Sequence, residues 1–272
     1  MLISIIIPAR NEARIIRHLL EVIAANMQQA SLLFECVVVD DGSTDDTPVL
    51  LSTLQRDWSW LRVVHRCPPC GLGYAIRDGL AAAHGAGVII TMGDGSDAPS
   101  DLVRYAQLLE QGYDAIFGSR FLEGASIDGY SRAKLFVNRV GNQVLRVMFG
   151  LPCCDLTNAF KAYRMQPLRA AGSFTSTQFE ITVELSLKVL CHSRRVAELP
   201  ISWSERTSGR SHFKIVRQCL RYLLSAVWLR MTLPPLPQLD WTRIPHSFLR
   251  HQTDSLLVDS ATNSAPSSSR QP

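Results

Sequence analysis

Val37-Val38-Val39-Asp40-Asp41-Gly42-Ser43-Thr44-Asp45 is the stretch on which the fold turns. A short β-branched run stops at two carboxylates and a Gly-Ser turn. Such a run suits a strand buried on both faces of a parallel sheet, and open α/β sheets bind ligands at strand ends of this kind. Taken alone, the acidic part is equally an ordinary turn followed by a helix cap.

The flanking sequence repeats the pattern. Apolar runs over 2–7, 34–39, 61–65, 88–92 and 115–119 predict strands. Between them helices are expected over 12–30, 45–55, 73–84 and 99–110. Asn11 is read as the cap of the first, and Ile15, Ile16, Leu19, Leu20 and Ile23 as its buried face. This alternation implies an α/β doubly wound, mostly parallel sheet with its ligand crevice at the strand C-terminal ends. Beyond Ser119 the rhythm changes. Helices are expected over 132–149 and 180–191, a mixed segment over 155–164, an added strand over 197–202 and an amphipathic helix over 215–231. The expected organisation is one domain over 1–231, divided at 119 and 214, then a Pro-containing linker and disordered tail over 232–272.

With 272 residues, 46% of them hydrophobic and 19% charged, the chain can bury a sizeable core, which excludes a disordered or collagen-like protein. The net charge of +4 hides an asymmetry. Residues 1–119 carry 8 Lys/Arg against 14 Asp/Glu, and residues 120–272 carry 20 against 10. An acidic front and a basic rear suggest metal or sugar chemistry first and an anion second. No run reaches the ~18–20 apolar residues of a spanning helix. The opening residues 1–7 lack a basic leader and read as a strand, so a cytoplasmic setting with reduced thiols is expected for the seven cysteines.

Thr91-Met92-Gly93-Asp94-Gly95-Ser96-Asp97 places carboxylates at a second strand end. Hard cations such as Mg²⁺ take one or two such carboxylates together with substrate phosphate oxygens, although a capping turn has the same composition. Gly71-Leu72-Gly73 opens a helix but lacks the third glycine of a dinucleotide fingerprint. Cys67-Pro68-Pro69-Cys70 has redox spacing in the wrong place for a thioredoxin unit. Zinc would need two further ligands, which Cys153-Cys154 are poorly spaced to supply. The histidines show no metal-like spacing, and no nucleic-acid-binding motif accompanies the basic half, so no nucleic-acid partner is expected.

In this order, with Ile5-Ile6-Ile7-Pro8-Ala9-Arg10-Asn11-Glu12 ahead of them, these pieces resemble the family 2 glycosyltransferases of the GT-A fold. The resemblance continues through Gly118-Ser119-Arg120-Phe121, the segment 155–164, Phe179-Glu180 and the segment 200–211. It looks like the dolichyl-phosphate mannose synthase branch, which moves a sugar from a nucleotide donor to a polyprenyl phosphate. What it implies is an inverting hexosyltransferase, peripheral on the cytoplasmic face of the membrane. Pro8, Arg10 and Glu12 in the first loop and Val38, Asp40 and Asp41 in the second are the implied donor-binding residues. Asp94 and Asp97 are implied for a divalent metal, Mg²⁺ or Mn²⁺. Arg120, Arg132, Lys134, Asn138, Arg139 and Lys214 are implied for the acceptor phosphate. Asp94, Arg120 and Arg206 form the implied catalytic set. One departure stands out: Met92 replaces the first Asp of the family's Asp-x-Asp, and thioether sulfur is a poor ligand for hard cations. Two other readings stay open, a family 2 enzyme acting on a hydroxyl and a non-catalytic nucleotide-sugar binder. The helix over 215–231 suits a lipid surface, with packing on the domain or a second subunit as the alternative.

Overall fold

The structure is a computed structural model that describes residues 1–129, 131–204 and 215–245. In chain order the elements are β1 (Ile3–Ala9), α1 (Ile16–Gln29), β2 (Phe34–Asp40), α2 (Thr47–Asp57), β3 (Leu61–His65), α3 (Leu72–Ala82), β4 (Gly87–Ile90), α4 (Pro99–Glu110), β5 (Ala115–Ser119) and β6 (Ser126–Asp128). There follow α5 (Arg132–Phe149), β7 (Lys161–Arg164), α6 (Met165–Ala170), α7 (Ile181–Leu190), β8 (Arg195–Pro200), β9 (Ser202–Ser204), α8 (Ile215–Thr232) and β10 (Asp240–Arg243).

Eight strands form one sheet in the order β10-β8-β5-β7-β4-β1-β2-β3. All neighbours are parallel except β7, which runs antiparallel between β4 and β5. Every residue of β1, β4 and β5 is buried, as expected where helices cover both faces. On one face lie α1, α2 and α4, with Ile16, Leu20, Ile23, Leu51, Leu102 and Leu109 in the core. On the other lie α3, α6, α7 and inward residues of α5 and α8, including Ile76, Leu145, Leu168, Val183 and Leu229. The parallel strands therefore end together, and the loops after β1, β2, β4 and β5 share one rim.

The expected elements are present, with four corrections. Helix α1 starts at Ile16, and Asn11 does not cap it. Asn11 sits at φ 59° and turns its Oδ1 to the Thr44 amide at 2.7 Å, fastening the first loop to the second. Strand β4 stops at Ile90, two residues early, because the chain turns at Gly93. The added strand begins at Arg195. The segment read as linker contributes β10, parallel to β8 from Asp240–Arg195 to Arg243–Glu198. Asp-Trp-Thr-Arg is too short and too polar to announce a strand, and pairing with β8 supplies what its own propensity lacks. Residues 246–272 lie outside the described residues.

Candidate active site

The first two loops lock together before any ligand is considered. The Asn11 amide donates to Ser43 Oγ (2.9 Å) and the Glu12 amide to Thr47 Oγ1 (2.9 Å). Asp40 is buried at the end of β2. Its Oδ1 accepts from the Ser43 amide (3.0 Å), and its Oδ2 faces His65 Nδ1 (3.1 Å). Asp41 is equally committed. It pairs with Arg66, which also grips Asp78, and it accepts from the Gly71 amide at 2.6 Å. The two carboxylates thus shape the floor of the second loop and tie down residues 66–71. Pro8 and Val38 are buried in adjacent strands in neighbouring register, Glu12 is nearly buried and Arg10 is exposed.

The turn after β4 brings Asp94 to the same rim. A Cβ on Gly93 would lie 2.8 Å from the Pro8 carbonyl oxygen, so only glycine lets this backbone run against the end of β1. Gly95 adopts φ 71°, which glycine alone adopts without strain. Asp94 is half-buried, and its Oδ1 accepts from the Ser96 amide at 3.1 Å. Asp97 behaves differently. It is buried, and its Oδ2 accepts from Thr91 Oγ1 and from the Met92 amide, both at 3.1 Å. Burial, with Asp94 nearby, pushes its carboxyl up to about 7. Asp97 therefore buttresses the turn that presents Asp94. Among the described residues, no group of three or more His, Cys, Asp or Glu side chains could by itself hold a metal ion.

Across the rim, at the end of β5, stands Arg120. Its Nε and Nη2 fork onto Asp155 at 2.7 and 2.9 Å, and its amide also donates to Asp155 at 3.2 Å. Asp155 is fully buried, so an unpaired charge there would be costly and the pair is geometrically fixed. Asn142 of α5 completes the hub. Its Nδ2 reaches Thr157 Oγ1 (2.9 Å) and Asp155 Oδ1 (3.3 Å), and its Oδ1 accepts from the Leu156 amide at 2.7 Å. The guanidinium carbons of Arg120 and Arg139 lie 5.6 and 5.5 Å from the centre of one ring, that of Phe121. Lys134 and Asn138 are half-buried on the same helix. Arg132 begins α5. Arg206 and Lys214 lie outside the described residues, but the chain enters that segment from beside Asp94: the Ser204 amide donates to the Ser96 carbonyl at 2.9 Å, and Trp203 bridges to Asp97.

Asp155, Asn142, Arg66 and Lys161 were not anticipated as site residues. Asp155 lies in the segment that carries the family resemblance, but its partner is 35 positions away and no local spacing shows the pair. Lys161, in β7, is buried, and its Nζ donates to the Leu156 carbonyl (2.6 Å), Ser186 Oγ (2.8 Å) and the Thr182 carbonyl (3.3 Å). Burial pulls its ammonium down to about 7 from an ordinary value of 10.5. Between those values the unfolded chain binds one more proton than the folded one, so this group makes stability rise with pH. Urea unfolding from pH 7 to 9 is expected to show wild type gaining on Lys161→Met. Parallel pH curves for the two proteins would refute a depressed Lys161.

The arrangement offers two loops braced against each other, a carboxylate presented at the strand ends, and two arginines gathered at the Phe121 ring beyond β5. The family model described as "Glycosyl transferase family 2" matches residues 4–172. A polyprenol monophosphomannose synthase of Mycolicibacterium smegmatis is 30% identical over 213 residues, 76% of this chain and 79% of that protein. An undecaprenyl-phosphate mannosyltransferase of Micrococcus luteus is 28% identical over 239 residues, 84% and 96% of the two chains. Among solved structures, a glucosyl-3-phosphoglycerate synthase from Mycobacterium tuberculosis, in complex with Mn²⁺ and UDP-glucose, superposes with a TM-score of 0.63 at 20% identity, covering 86% of this chain and 80% of that one. This likeness is one of fold, and it is the GT-A fold that the sequence resemblance implied.

Proposed function

The chain belongs to glycosyl transferase family 2 and is a glycosyltransferase, and from that premise we propose that it transfers a hexose, mannose or glucose, with inversion from a nucleoside-diphosphate donor to a polyprenyl phosphate. The observation that carries the acceptor assignment is the pair Arg120 and Arg139 flanking Phe121, on and beside a helix that exposes an apolar stripe of Phe136, Val140, Val144 and Val147. An amphiphilic acceptor needs both features within one molecule's reach. The names of the two curated relatives support the same reading.

The chemistry asks little covalent work of the protein. A phosphate monoester is anionic near neutral pH, so its oxygen can attack the anomeric carbon without a strong general base. Asp155, gripped by Arg120 and Asn142, is poorly placed to act as one. The protein aligns the two substrates and offsets negative charge on the departing diphosphate. Arg120 is pre-aimed by its fork to Asp155, and Arg139 adds a second cation. The residues fit a divalent cation of the Mg²⁺ or Mn²⁺ type in one form: Asp94 as the protein carboxylate, with the remaining oxygens coming from the donor pyrophosphate. Such a cation would supply further positive charge at the leaving group. The nucleoside would rest on the loops braced by Asp40 and Asp41.

No helix among the described residues is long and apolar enough to cross a membrane. Attachment to the cytoplasmic face is proposed through α8, where Leu220, Leu223, Leu224, Val227, Trp228 and Met231 are all exposed. These positions recur at helical spacing on one side. Wild type is expected to float with anionic vesicles at low salt, and a folded Leu224→Asp/Trp228→Asp double mutant to stay at the bottom. Wild type sedimenting with every lipid mixture would end the attachment claim.

The transfer proposal is tested with a donor panel of GDP-mannose and UDP-sugars, incubated with polyprenyl phosphate and Mg²⁺ or Mn²⁺, and read as sugar in the lipid extract. At least one donor is expected to label the lipid. Labelling by none would refute the proposal, and turnover of any donor excludes a non-catalytic binder.

A further inference from the structure

A cavity of about 560 Å³ lies where the C-terminal ends of α5 and α8 meet the proline-rich segment leading to β10. Val147, Phe149, Leu229, Leu233, Leu236 and Trp241 are among its lining residues. Its size falls within the range of small-molecule pockets, and most of its lining residues are apolar, with Arg230 as the charged one. Three prolines at 234, 235 and 237 line the same space and limit how far that wall can collapse.

The cavity is continuous with a second apolar feature. Phe136, Val140, Val144 and Val147 are exposed along α5, at steps of four, four and three residues. That spacing places them on one side of the helix. Val147, 72% exposed, is both the last member of this stripe and part of the cavity lining. Near the other end of the stripe, on the same helix, lie Lys134, Asn138 and Arg139, with Arg120 beside Arg139 at the Phe121 ring. At 1.5 Å per residue, Phe136 and Val147 are about 16 Å apart along the axis. Phosphate-binding cations, an apolar rail and a proline-walled cavity thus follow one another along a single helix.

We infer that this cavity is a subsite for the isoprenoid chain of the acceptor, the chain running along α5 from a phosphate held near Arg120 and Arg139 to a distal segment seated among Val147, Leu236 and Trp241. This rests on the proposed acceptor class. It adds a consequence that the class alone does not have: the protein should measure chain length. A chain too short to travel the rail would bind by its phosphate and the first part of the stripe, and only a longer one would fill the cavity. Burial of further apolar carbon makes a preference of at least about tenfold the expected minimum.

The test is titration calorimetry of the full chain with geranyl phosphate and geranylgeranyl phosphate, both kept monomeric. Wild type is expected to bind the longer ligand at least about tenfold more tightly, with a more negative heat-capacity change. Val147→Asp puts a charge on an already exposed position at the entrance, so folding is not at issue. Leu236→Trp fills the interior. Both variants should bind geranyl phosphate within about twofold of wild type and lose the preference for the longer chain. Equal wild-type affinities for the two ligands, or a preference that survives Val147→Asp, would overturn the subsite. The same overturning result would follow if the preference belonged to residues 246–272, in which case truncation after 245 would abolish it while Val147→Asp would not. Because binding is read rather than turnover, the outcome stands apart from the transfer assay: failure of every donor there counts against the reaction, not against the cavity.

Discussion

Asp94→Asn is expected to reduce sugar transfer by roughly 10²–10³-fold, the loss typical when one fixed charge-stabilising group is removed from a reacting centre. The effect should be large because the turn has little redundancy. Met92 occupies the position where the family has a first aspartate, and Asp97 spends an oxygen on Thr91 and the Met92 amide. Asp94 is the half-buried carboxylate that the Gly93–Gly95 turn presents to the rim. Asp97→Asn is expected to cost less activity, since its amide can keep an acceptor oxygen toward the same two donors. Initial rates in saturating Mg²⁺ decide the matter: equal rates for wild type and Asp94→Asn would remove Asp94 from the site.

Arg120→Ala should lose transfer on the same scale, about 10²–10³-fold, because a pre-aimed guanidinium contributes most where charge develops on a phosphate. It also strands Asp155 as an unpaired buried charge, a change that costs on the order of 3–5 kcal/mol of stability. The two consequences separate in the double variant Arg120→Ala/Asp155→Ala. Removing both partners should restore much of the stability and none of the activity. Arg56→Ala, at the exposed end of α2, serves as the control and should leave the rate near wild type. Similar mild losses for Arg120→Ala and Arg56→Ala would mean that the basic residues only solvate a surface. Recovery of transfer in the double variant would mean that Arg120 acts only through folding.

The parts of this architecture that were legible in the sequence are those carried by local pattern. Strands β2, β3 and β5 end where their apolar runs stop, and the rim loops follow because Gly, Asp and Ser cluster there. Asn11 shows the limit. Its composition suits a helix cap, but a neighbouring loop offered a better partner in the Thr44 amide, and tertiary contact decided between them. Arg120 was identified by its motif, whereas the residues that fix it, Asp155 and Asn142, come from a loop and a helix that only the folded sheet brings together. Asp40 and Asp41 were rightly placed at a strand end, yet their oxygens turn to Ser43, Arg66 and Gly71, a commitment set by loop geometry. Strand β10 carries no period of its own and forms because the edge of β8 is there to pair with. The exposed stripe of α5 has helical spacing that is readable in the sequence, but which side of that helix the domain covers is decided by α8 and by the Asp155 segment.

The central claim is that the sugar goes to a phosphate oxygen and not to a hydroxyl, and one comparison tests it most directly. Purified protein is incubated with its productive nucleotide sugar and Mg²⁺ in parallel with a polyprenyl phosphate and the corresponding free polyprenol, and the mass of each lipid is read. The account predicts one added hexose on the phosphate and none on the alcohol, because Arg120 and Arg139 have nothing to hold on the alcohol and Asp155 is already committed to Arg120 and Asn142. Equal glycosylation of the alcohol, or addition to the alcohol alone, would contradict it.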